Sequence, residues 1–406
     1  MNSRFKYIVV SASACLTALL LIGSLLGKGA STQEDTLKHI GVFSDVVARI
    51  KAEYVEEPDM KAVTLGALNG MLEAIDPFAS YLNADQYANY LESKKAPKNG
   101  DAGLILSKKF GYVGVVAAVP GSPAAKAGFT TGDMVESIRG IATRDMPLAY
   151  AALLLQGDAG TTVELSVVRV RQPEPQTVKL TLVKLESPPV DSAMLAGQVG
   201  YLNIDALGAA QVKQTADAVG KLQKDGAQKL ILDLRSCAIG SPEDGIALAN
   251  LFLNKGLITY LQGQRVTRQN FEADPAKAIT SLPMAVLINS GTASGAEIAA
   301  AALQDNKRAQ LVGDRTYGDA AQRKAIAMED GGAIILSVAK YYSPSGQAIQ
   351  DTRVAPGTLV AEPEPQFEYD ENGEPIPQAQ PQPGEQPKTT EDPVVKKALE
   401  VLGVKA

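Results

Sequence analysis

The chain has 406 residues, enough for two or three domains, and 45% of them are hydrophobic, which allows sizeable buried cores. Its formal net charge of −6 gives no indication of nucleic-acid binding. Two isolated cysteines, Cys15 and Cys237, and a single histidine, His39, support neither a disulfide framework nor a cysteine- or histidine-based metal site. A Ser-His-Asp triad is likewise excluded unless His39 is recruited to it, and we expect no cofactor.

The N-terminal stretch is apolar and carries its positive charges at the start. Arg4 and Lys6 precede a run from Ile8 to Gly27 without any charged residue, which is about the length of helix that spans a bilayer. Because positive flanks stay in the cytoplasm, the pattern predicts a single-pass anchor in a bacterial inner membrane. The body would then lie in the periplasm or outside the cell. A cleaved signal peptide is the alternative, with a weak small-residue site at 27–31.

Residues from Leu37 to about Leu91 show helical periodicity. Apolar side chains recur every three or four positions between Ile40 and Ile50, and every four between Val63 and Ile75. An Asp-Pro turn at Asp76 leads into another short helix. The pattern predicts a small helical domain that either serves as a dimerisation arm or only packs on the rest.

Short strands and turns follow for about ninety residues after a polar boundary at Lys95–Asp101. The stretch from Gly121 to Asp133 matches the G-S-P-A-x-x-A-G-(4)-D signature of PDZ domains nearly without change, so this region resembles a PDZ domain. PDZ domains add a peptide C-terminus as a strand and hold its carboxylate with backbone N–H groups. The resemblance implies a carboxylate-binding loop at Gly103-Leu104-Ile105-Leu106, with Ile105 where the family usually has a second glycine. A PDZ-like spacer or lid is the alternative.

From Gly200 the pattern changes to strands that alternate with helices. Strands are predicted at 200–204, 229–235, 284–288, 310–313 and 333–339, and helices at 209–224, at 244–253 and after Ser294. This alternation predicts an α/β core with a mainly parallel sheet.

Ser294 stands at the bend between the apolar run 284–288 and the alanine-rich helix. Such a bend exposes one side chain and directs free backbone N–H groups of the helix N-terminus into the same space. Ser294 is therefore a candidate nucleophile, with the N–H of Gly295 as an oxyanion donor. A serine that only caps the helix is the alternative.

Several ordered stretches together resemble the C-terminal processing (tail-specific) proteases, which are serine peptidases with a Ser-Lys dyad and an inserted PDZ domain. The stretches are 76–82, 199–201, 232–235, 291–297, 302–305, 311–313 and 341–346. The predicted organisation is an anchor in 1–30, a helical domain in 31–98, a PDZ domain in 99–187, a peptidase core in 188–360, a linker in 361–391 and a terminal helix in 392–406.

The resemblance implies that Ser294 is the nucleophile. The lysine that acts as its base in the family is absent from this chain. The position of the dyad lysine is occupied by Asp319, and the glutamine that orients the lysine is replaced by Arg323. The oxyanion Gly-Gly pair reads Ile239-Gly240, and a branched residue lacks the backbone freedom of glycine. Aspartate side chains ordinarily have a pKa of about 3.9, so they are weak bases toward a serine hydroxyl.

These substitutions predict a degenerate active site. The resemblance to a PDZ domain predicts that the protein recognises the C-termini of proteins or peptides. One alternative is an active endopeptidase in which Lys324 or Lys340 replaces the missing base. Another is a non-catalytic scaffold or regulator, in a homo-oligomer or together with an active paralogue.

The end of the chain has two parts. Residues 361–390 contain seven prolines and seven acidic residues against one lysine, which predicts an extended linker without a core of its own. From Asp392-Pro393 onward, apolar residues on one face predict a short helix.

Overall fold

The structure is a computed structural model that describes residues 38–109, 111–169, 172–361 and 392–404. The predicted anchor at 8–27 and the predicted linker, apart from Ala361, lie outside these residues. No helix among the described residues is long and apolar enough to cross a membrane. The chain divides into two units, Met1–Leu68 and Asn69–Ala406.

The first described residues of the chain form two helices. Helix α1 includes residues 38–53, and helix α2 (Met60–Glu73) begins after Asp59. The Asp59 carboxylate accepts the backbone N–H groups of Lys61 and Ala62, which caps the helix N-terminus. Ile40 and Phe43, on the predicted apolar stripe of α1, are 58% and 43% exposed.

The short helix predicted after the Asp76 turn is present as α3 (Ala84–Lys95), but a strand that was not predicted comes before it. Between α2 and α3, the stretch after Asp76 includes a strand, β1 (Ser80–Leu82), which pairs antiparallel with β18 (Ala333–Tyr342). Three residues are too short to show a strand period, and the pairing partner is some 250 residues away, so nothing local indicates β1. Asn83 then starts α3 with a capping box.

The PDZ region is an antiparallel sheet with short helices. Its main sheet has the order β3-β4-β5-β8-β9, with β6 beside β5, and β2 pairs separately with β7. The strands are β2 (Gly100–Asp101), β3 (Leu104–Lys109), β4 (Tyr112–Ala118), β5 (Met134–Ile138), β6 (Ile141–Ala142), β7 (Gln156–Gly157), β8 (Thr162–Arg169) and β9 (Gln172–Thr181). The helices are α4 (Pro123–Lys126) and α5 (Leu148–Leu154).

The PDZ signature residues have identifiable structural roles. Ser122 caps α4 by accepting the N–H of Ala125, and Gly128 ends the turn with a positive φ of 71°. Asp133 lies 3.2 Å from the guanidinium of Arg169, and both side chains are buried. The signature therefore builds a capped helical turn and a buried ion pair behind the sheet.

The peptidase region contains the predicted parallel sheet. Its order is β10-β11-β12-β15-β16-β19, and all neighbours are parallel except β10 and β11. The strands are β10 (Asp191–Leu195), β11 (Val199–Asn203), β12 (Lys229–Asp233), β15 (Met284–Ile288), β16 (Ala309–Gly313) and β19 (Thr358–Leu359). The helices are α6 (Ala209–Lys224), α7 (Pro242–Asn250), α8 (Gly295–Asp305), α9 (Ile349–Thr352) and α10 (Pro393–Val401), with a 3₁₀ turn at Pro275–Lys277.

A second sheet, which the sequence pattern did not separate from the first, is antiparallel. It has the order β1-β18-β13-β14, and β17 pairs with β18. The remaining strands are β13 (Leu257–Gln262), β14 (Gln269–Glu272) and β17 (Ala321–Ala327). Strand β17 follows directly on the segment that contains Asp319, so this sheet supports the position at which Asp319 replaces the family's lysine.

Both faces of the parallel sheet are covered. Alternate residues of β12 and β15, such as Leu232 and Val286, face a core that includes α6, α7 and α8. The residues between them, such as Ile231 and Leu287, face α10 instead. Strands buried on both faces require near-continuous apolar runs, which is the pattern seen in Met284–Ile288.

Candidate active site

Ser294 lies at the bend between β15 and α8, where the sequence places it. Its backbone has φ 52° and ψ −116°, a region that side-chain-bearing residues rarely adopt. Strained strand-to-helix bends of this kind present the nucleophile in many hydrolases. The residue is half-buried.

The bend is held by a second loop that follows β12. The Asn289 side-chain carbonyl accepts the N–H of Gly291 at 3.0 Å and the N–H of Ser236 at 2.8 Å. The Thr292 hydroxyl donates to the carbonyl of Leu234, and the N–H of Ala293 donates to that of Cys237. The nucleophile bend and the 234–240 loop therefore form one hydrogen-bonded unit.

The two predicted oxyanion residues occupy the ends of these segments. Gly295 is the first residue of α8, where backbone N–H groups have no partner inside the helix. Gly240 has φ 148°, and a Cβ atom there would lie 2.5 Å from the Cβ of Leu207. The neighbouring Ile239 carbonyl accepts the N–H of Leu207 at 2.7 Å, which fixes this part of the loop. Only glycine fits position 240.

Glu297, which sequence reasoning did not assign a role, connects the nucleophile bend to the base position. It is fully buried and accepts four hydrogen bonds. One oxygen accepts the Thr316 hydroxyl at 2.5 Å and the Gly318 N–H at 2.6 Å, and the other accepts the N–H groups of Asp319 and Ser294 at 2.7 and 3.0 Å. A glutamate three residues after an N-cap serine is a capping-box signal, which was the available clue.

Burial shifts the titration of Glu297. The loss of solvent raises the pKa of its carboxyl from 4.5 to about 7, against the opposing effect of the hydrogen bonds from Thr316, Asp319 and Gly318. The negative charge of Asp319 contributes in the same direction as burial. A single carboxyl group therefore connects the Ser294 bend to the segment that contains Asp319.

Asp319 is engaged by Arg323. A guanidinium nitrogen lies 2.6 Å from the Asp319 carboxylate, and both side chains are about one quarter exposed. The same guanidinium stacks 4.2 Å above the ring centre of Phe78. Phe78 in turn meets the ring of Tyr317 edge-on at 5.4 Å. The predicted base position therefore holds a carboxylate within an ion pair.

The two lysines considered as replacement bases have other surroundings. Lys324 is exposed and alternates along β17 with the partly buried Arg323, so the two side chains point to opposite faces of the strand. The Lys340 ammonium lies 2.5 Å from the Asp351 carboxylate.

The PDZ region contacts this site directly. The Tyr317 hydroxyl donates to the carbonyl of Leu106, and burial raises the pKa of the phenol, which keeps it a donor. An apolar cluster joins Val116 of β4 to Ala293, next to Ser294, with Ile105 packed against it. Ile105 and Leu106 of the predicted carboxylate-binding loop therefore also contact the peptidase region.

The predicted peptide groove has the geometry of a PDZ domain. Strand β3 is the edge strand of its sheet, with α5 beside it. Gly103 has φ 79°, and a Cβ atom there would lie 2.2 Å from the Cβ of Ser122. Leu104 packs against the PDZ core, and the Asp101 carboxylate accepts the N–H of Gly103 at 2.7 Å. A bound carboxylate must therefore use the N–H groups that follow Gly103.

A cavity of about 390 Å³ lies between the PDZ and peptidase regions. Phe78, Val116 and Tyr317 form apolar walls, while Lys108 and Arg353 contribute positive charge. Gly318, next to Asp319, is also part of its lining. Within the described segments, no cluster of three His, Cys, Asp or Glu side chains is arranged to hold a metal ion.

Comparison with known proteins decides the family. Residues 198–360 match the model of peptidase family S41, and residues 114–169 match a PDZ domain. A carboxy-terminal-processing protease of Bartonella bacilliformis is 30% identical over 370 residues, which cover 89% of this chain and 84% of the relative. The chain belongs to the carboxy-terminal processing protease family.

Other members agree with this assignment. A carboxyl-terminal-processing protease of Synechocystis is 32% identical over 321 residues, covering 77% of this chain and 75% of the relative. The solved photosystem II D1 C-terminal processing protease superposes with a TM-score of 0.63 at 28% identity, over 77% of this chain and 85% of that one. The predicted resemblance and the α/β fold class with an inserted PDZ domain are confirmed.

Proposed function

We propose that this family member binds the C-termini of proteins or peptides and has lost most or all of its proteolytic activity. The observation that carries the proposal is the Asp319 carboxylate, which lies 2.6 Å from the guanidinium of Arg323 at the position of the family's dyad lysine. A general base must accept the proton of the Ser294 hydroxyl, whereas the Asp319 carboxylate is engaged in an ion pair with Arg323.

The electrostatics of the site support the same proposal. The intermediate of peptide hydrolysis carries an oxyanion, which positive charge and N–H donors stabilise. Here the family's lysine is replaced by the Asp319–Arg323 ion pair, whose two charges cancel, so no net positive charge is supplied at this position. Loss of the base in a well-studied serine protease costs about 10⁶-fold in kcat, so the expected residual rate is very low.

Labelling with a fluorophosphonate tests the loss of activity. We expect wild-type protein to label no faster than Ser294→Ala, as judged by intact mass. The triple variant Asp319→Lys, Arg323→Gln, Ile239→Gly should label at Ser294 and hydrolyse a fluorogenic peptide. Labelling of wild type that is abolished by Lys324→Ala or Lys340→Ala would instead show an active enzyme with a substitute base.

Peptide binding is tested separately. Strand β3 is the edge strand of its sheet and lies beside α5, which favours strand addition, so a fluorescent peptide with a free C-terminus should bind to full-length protein. The same peptide with an amidated C-terminus is the matched control and should bind at least about tenfold more weakly, because charge-assisted hydrogen bonds to the carboxylate are lost. Equal affinity for the two peptides would contradict recognition of the C-terminus.

The apolar N-terminal run supports a further proposal on location. We propose that the chain is anchored in the bacterial inner membrane and that its body, exported to the periplasm, acts as a scaffold or regulator, in a homo-oligomer or with an active relative. Fractionation of cells that express the full chain tests the anchor: the protein should remain in the membrane after high salt. Release as a shorter soluble chain would show cleavage instead.

A further inference from the structure

The C-terminal helix α10 covers the strands that lead into the candidate active site. Val394, Val395, Ala398 and Leu399 of α10 are buried against one face of the parallel sheet. The sheet residues in this cluster belong to β11, β12, β15 and β16. Strands β12, β15 and β16 end at the 234–240 loop, the Ser294 bend and the segment before Asp319, respectively. The helix therefore packs against the three strands that lead into the active-site segments.

The first residue of this helix is tied to one of those strands by charge. One Asp392 oxygen caps α10 by accepting the N–H groups of Val394 and Val395 at 2.8 and 3.2 Å. The other Asp392 oxygen lies 2.8 Å from a guanidinium nitrogen of Arg235. The N-cap of the helix and the end of β12 are thus joined through a single carboxylate.

Arg235 is held in a fixed orientation between two carboxylates. Its Nε and Nη2 atoms donate to the Asp233 carboxylate at 2.6–3.0 Å. Asp233 is buried and also accepts the Tyr201 hydroxyl at 2.7 Å. Because the guanidinium fork is planar, a bidentate bond to Asp233 directs the remaining nitrogen toward Asp392.

The residues after Arg235 form the 234–240 loop and contact the Ser294 bend. Ser236 has a positive φ of 56°, and its N–H donates to the side chain of Asn289, which also accepts the N–H of Gly291 in the Ser294 bend. Four residues further along the same loop is Gly240. A displacement of Arg235 would therefore be transmitted to the Ser294 bend through the Asn289 side chain, and to Gly240 along the 234–240 loop itself.

We propose that the docked C-terminal helix positions the 234–240 loop and the Ser294 bend through the Asp392–Arg235 ion pair. In this proposal Arg235 is a positioning residue, and the helix is the element that stabilises one arrangement of the 234–240 loop. In the sequence, residues 362–391 separate α10 from the rest of the peptidase core. The proposal does not depend on whether Ser294 retains any reactivity.

Hydrogen exchange of the full-length protein, followed by mass spectrometry, tests the proposal. The key variant is Asp392→Asn, because asparagine caps a helix about as well as aspartate but cannot form the ion pair. We expect about two- to fivefold faster hydrogen exchange in peptides that cover 235–241 and 289–295. This is the change in exchange rate that corresponds to the small free energy of a partly exposed ion pair. Exchange in 394–402 should remain as in wild type.

Lys229→Met is the matched control at the other end of the helix. The Lys229 ammonium donates to the carbonyl of Leu402 at 2.6 Å, so this variant weakens docking of α10 without touching Arg235. It should speed exchange in 399–404 and leave 235–241 and 289–295 unchanged. Unchanged exchange in these two loops in Asp392→Asn would overturn the proposal. Equal acceleration there in both variants would also overturn it, because docking alone would then account for the effect.

Discussion

The titration of Glu297 provides a test of how the candidate active site is held together. Its carboxyl is fully buried, and burial raises its pKa from 4.5 to about 7. In the unfolded chain the same carboxyl is solvated and loses its proton near the lower value. Between these two values, the folded protein holds a proton that the unfolded chain has released.

The sign of the effect follows from proton linkage. Folding stability falls with pH wherever the folded state binds more protons than the unfolded state. The contribution of Glu297 is therefore fully present below about pH 4.5 and is lost as the pH rises through about 7. The shift corresponds to roughly 3 kcal/mol in the free energy of unfolding, at 1.36 kcal/mol per pKa unit.

Comparison with Glu297→Gln isolates this contribution. Glutamine has nearly the same shape but does not titrate, so the effects of all other ionisable groups cancel in the difference between the two proteins. Urea denaturation from about pH 4.5 to 8 should show the stability of wild type relative to the variant falling by roughly 3 kcal/mol. A flat difference, or one that rises with pH, would refute the reasoning. A rise would mean that the four donors outweigh the cost of burial.

Three further substitutions test contacts that position the site, each by urea denaturation of the full chain. Arg169→Met should cost about 3–5 kcal/mol, because it removes the buried guanidinium that lies 3.2 Å from the buried Asp133 carboxylate. A loss below about 1 kcal/mol would show that this ion pair contributes little to stability. Tyr317→Phe keeps the ring but removes the donor to the Leu106 carbonyl, with an expected cost of about 1–3 kcal/mol. No loss would mean that this contact does not hold the PDZ region. Gly245→Ala places a Cβ atom 2.0 Å from the carbonyl oxygen of Gly295, so α7 and α8 must separate, at a cost of about 1–3 kcal/mol. Unchanged stability would argue against their close contact.

The elements with the strongest local signals could be predicted from the sequence. Strand β15 and helix α6 have the predicted boundaries, Met284–Ile288 and Ala209–Lys224. In β15 an uninterrupted apolar run matches a strand buried on both faces, and in α6 a regular period spans four turns. Ser294 could be placed at a bend because a strand pattern changes to a helix pattern there.

The features that depend on distant contacts could not be predicted. Glu297 acts by accepting N–H groups of Gly318 and Asp319, and nothing in the first turn of α8 indicates that this segment folds back onto it. Helix α5 has seven residues, too few for a clear period. The docking of Tyr317 on Leu106 joins residues more than 200 positions apart.

The two substitutions at the base position form one electrostatic change. In the family pattern that the sequence resembles, position 319 holds a lysine and the position four residues later holds a neutral glutamine, whereas here Asp319 and Arg323 form an ion pair. An isolated aspartate at 319 would place an unpaired negative charge next to the buried Glu297 carboxyl, and Arg323 neutralises it. Conversely, lysine at 319 alone would face the Arg323 guanidinium at ion-pair distance, with repulsion in place of attraction. This coupling is why restoration of the base requires Arg323→Gln together with Asp319→Lys, and why either change alone is expected to leave Ser294 unreactive.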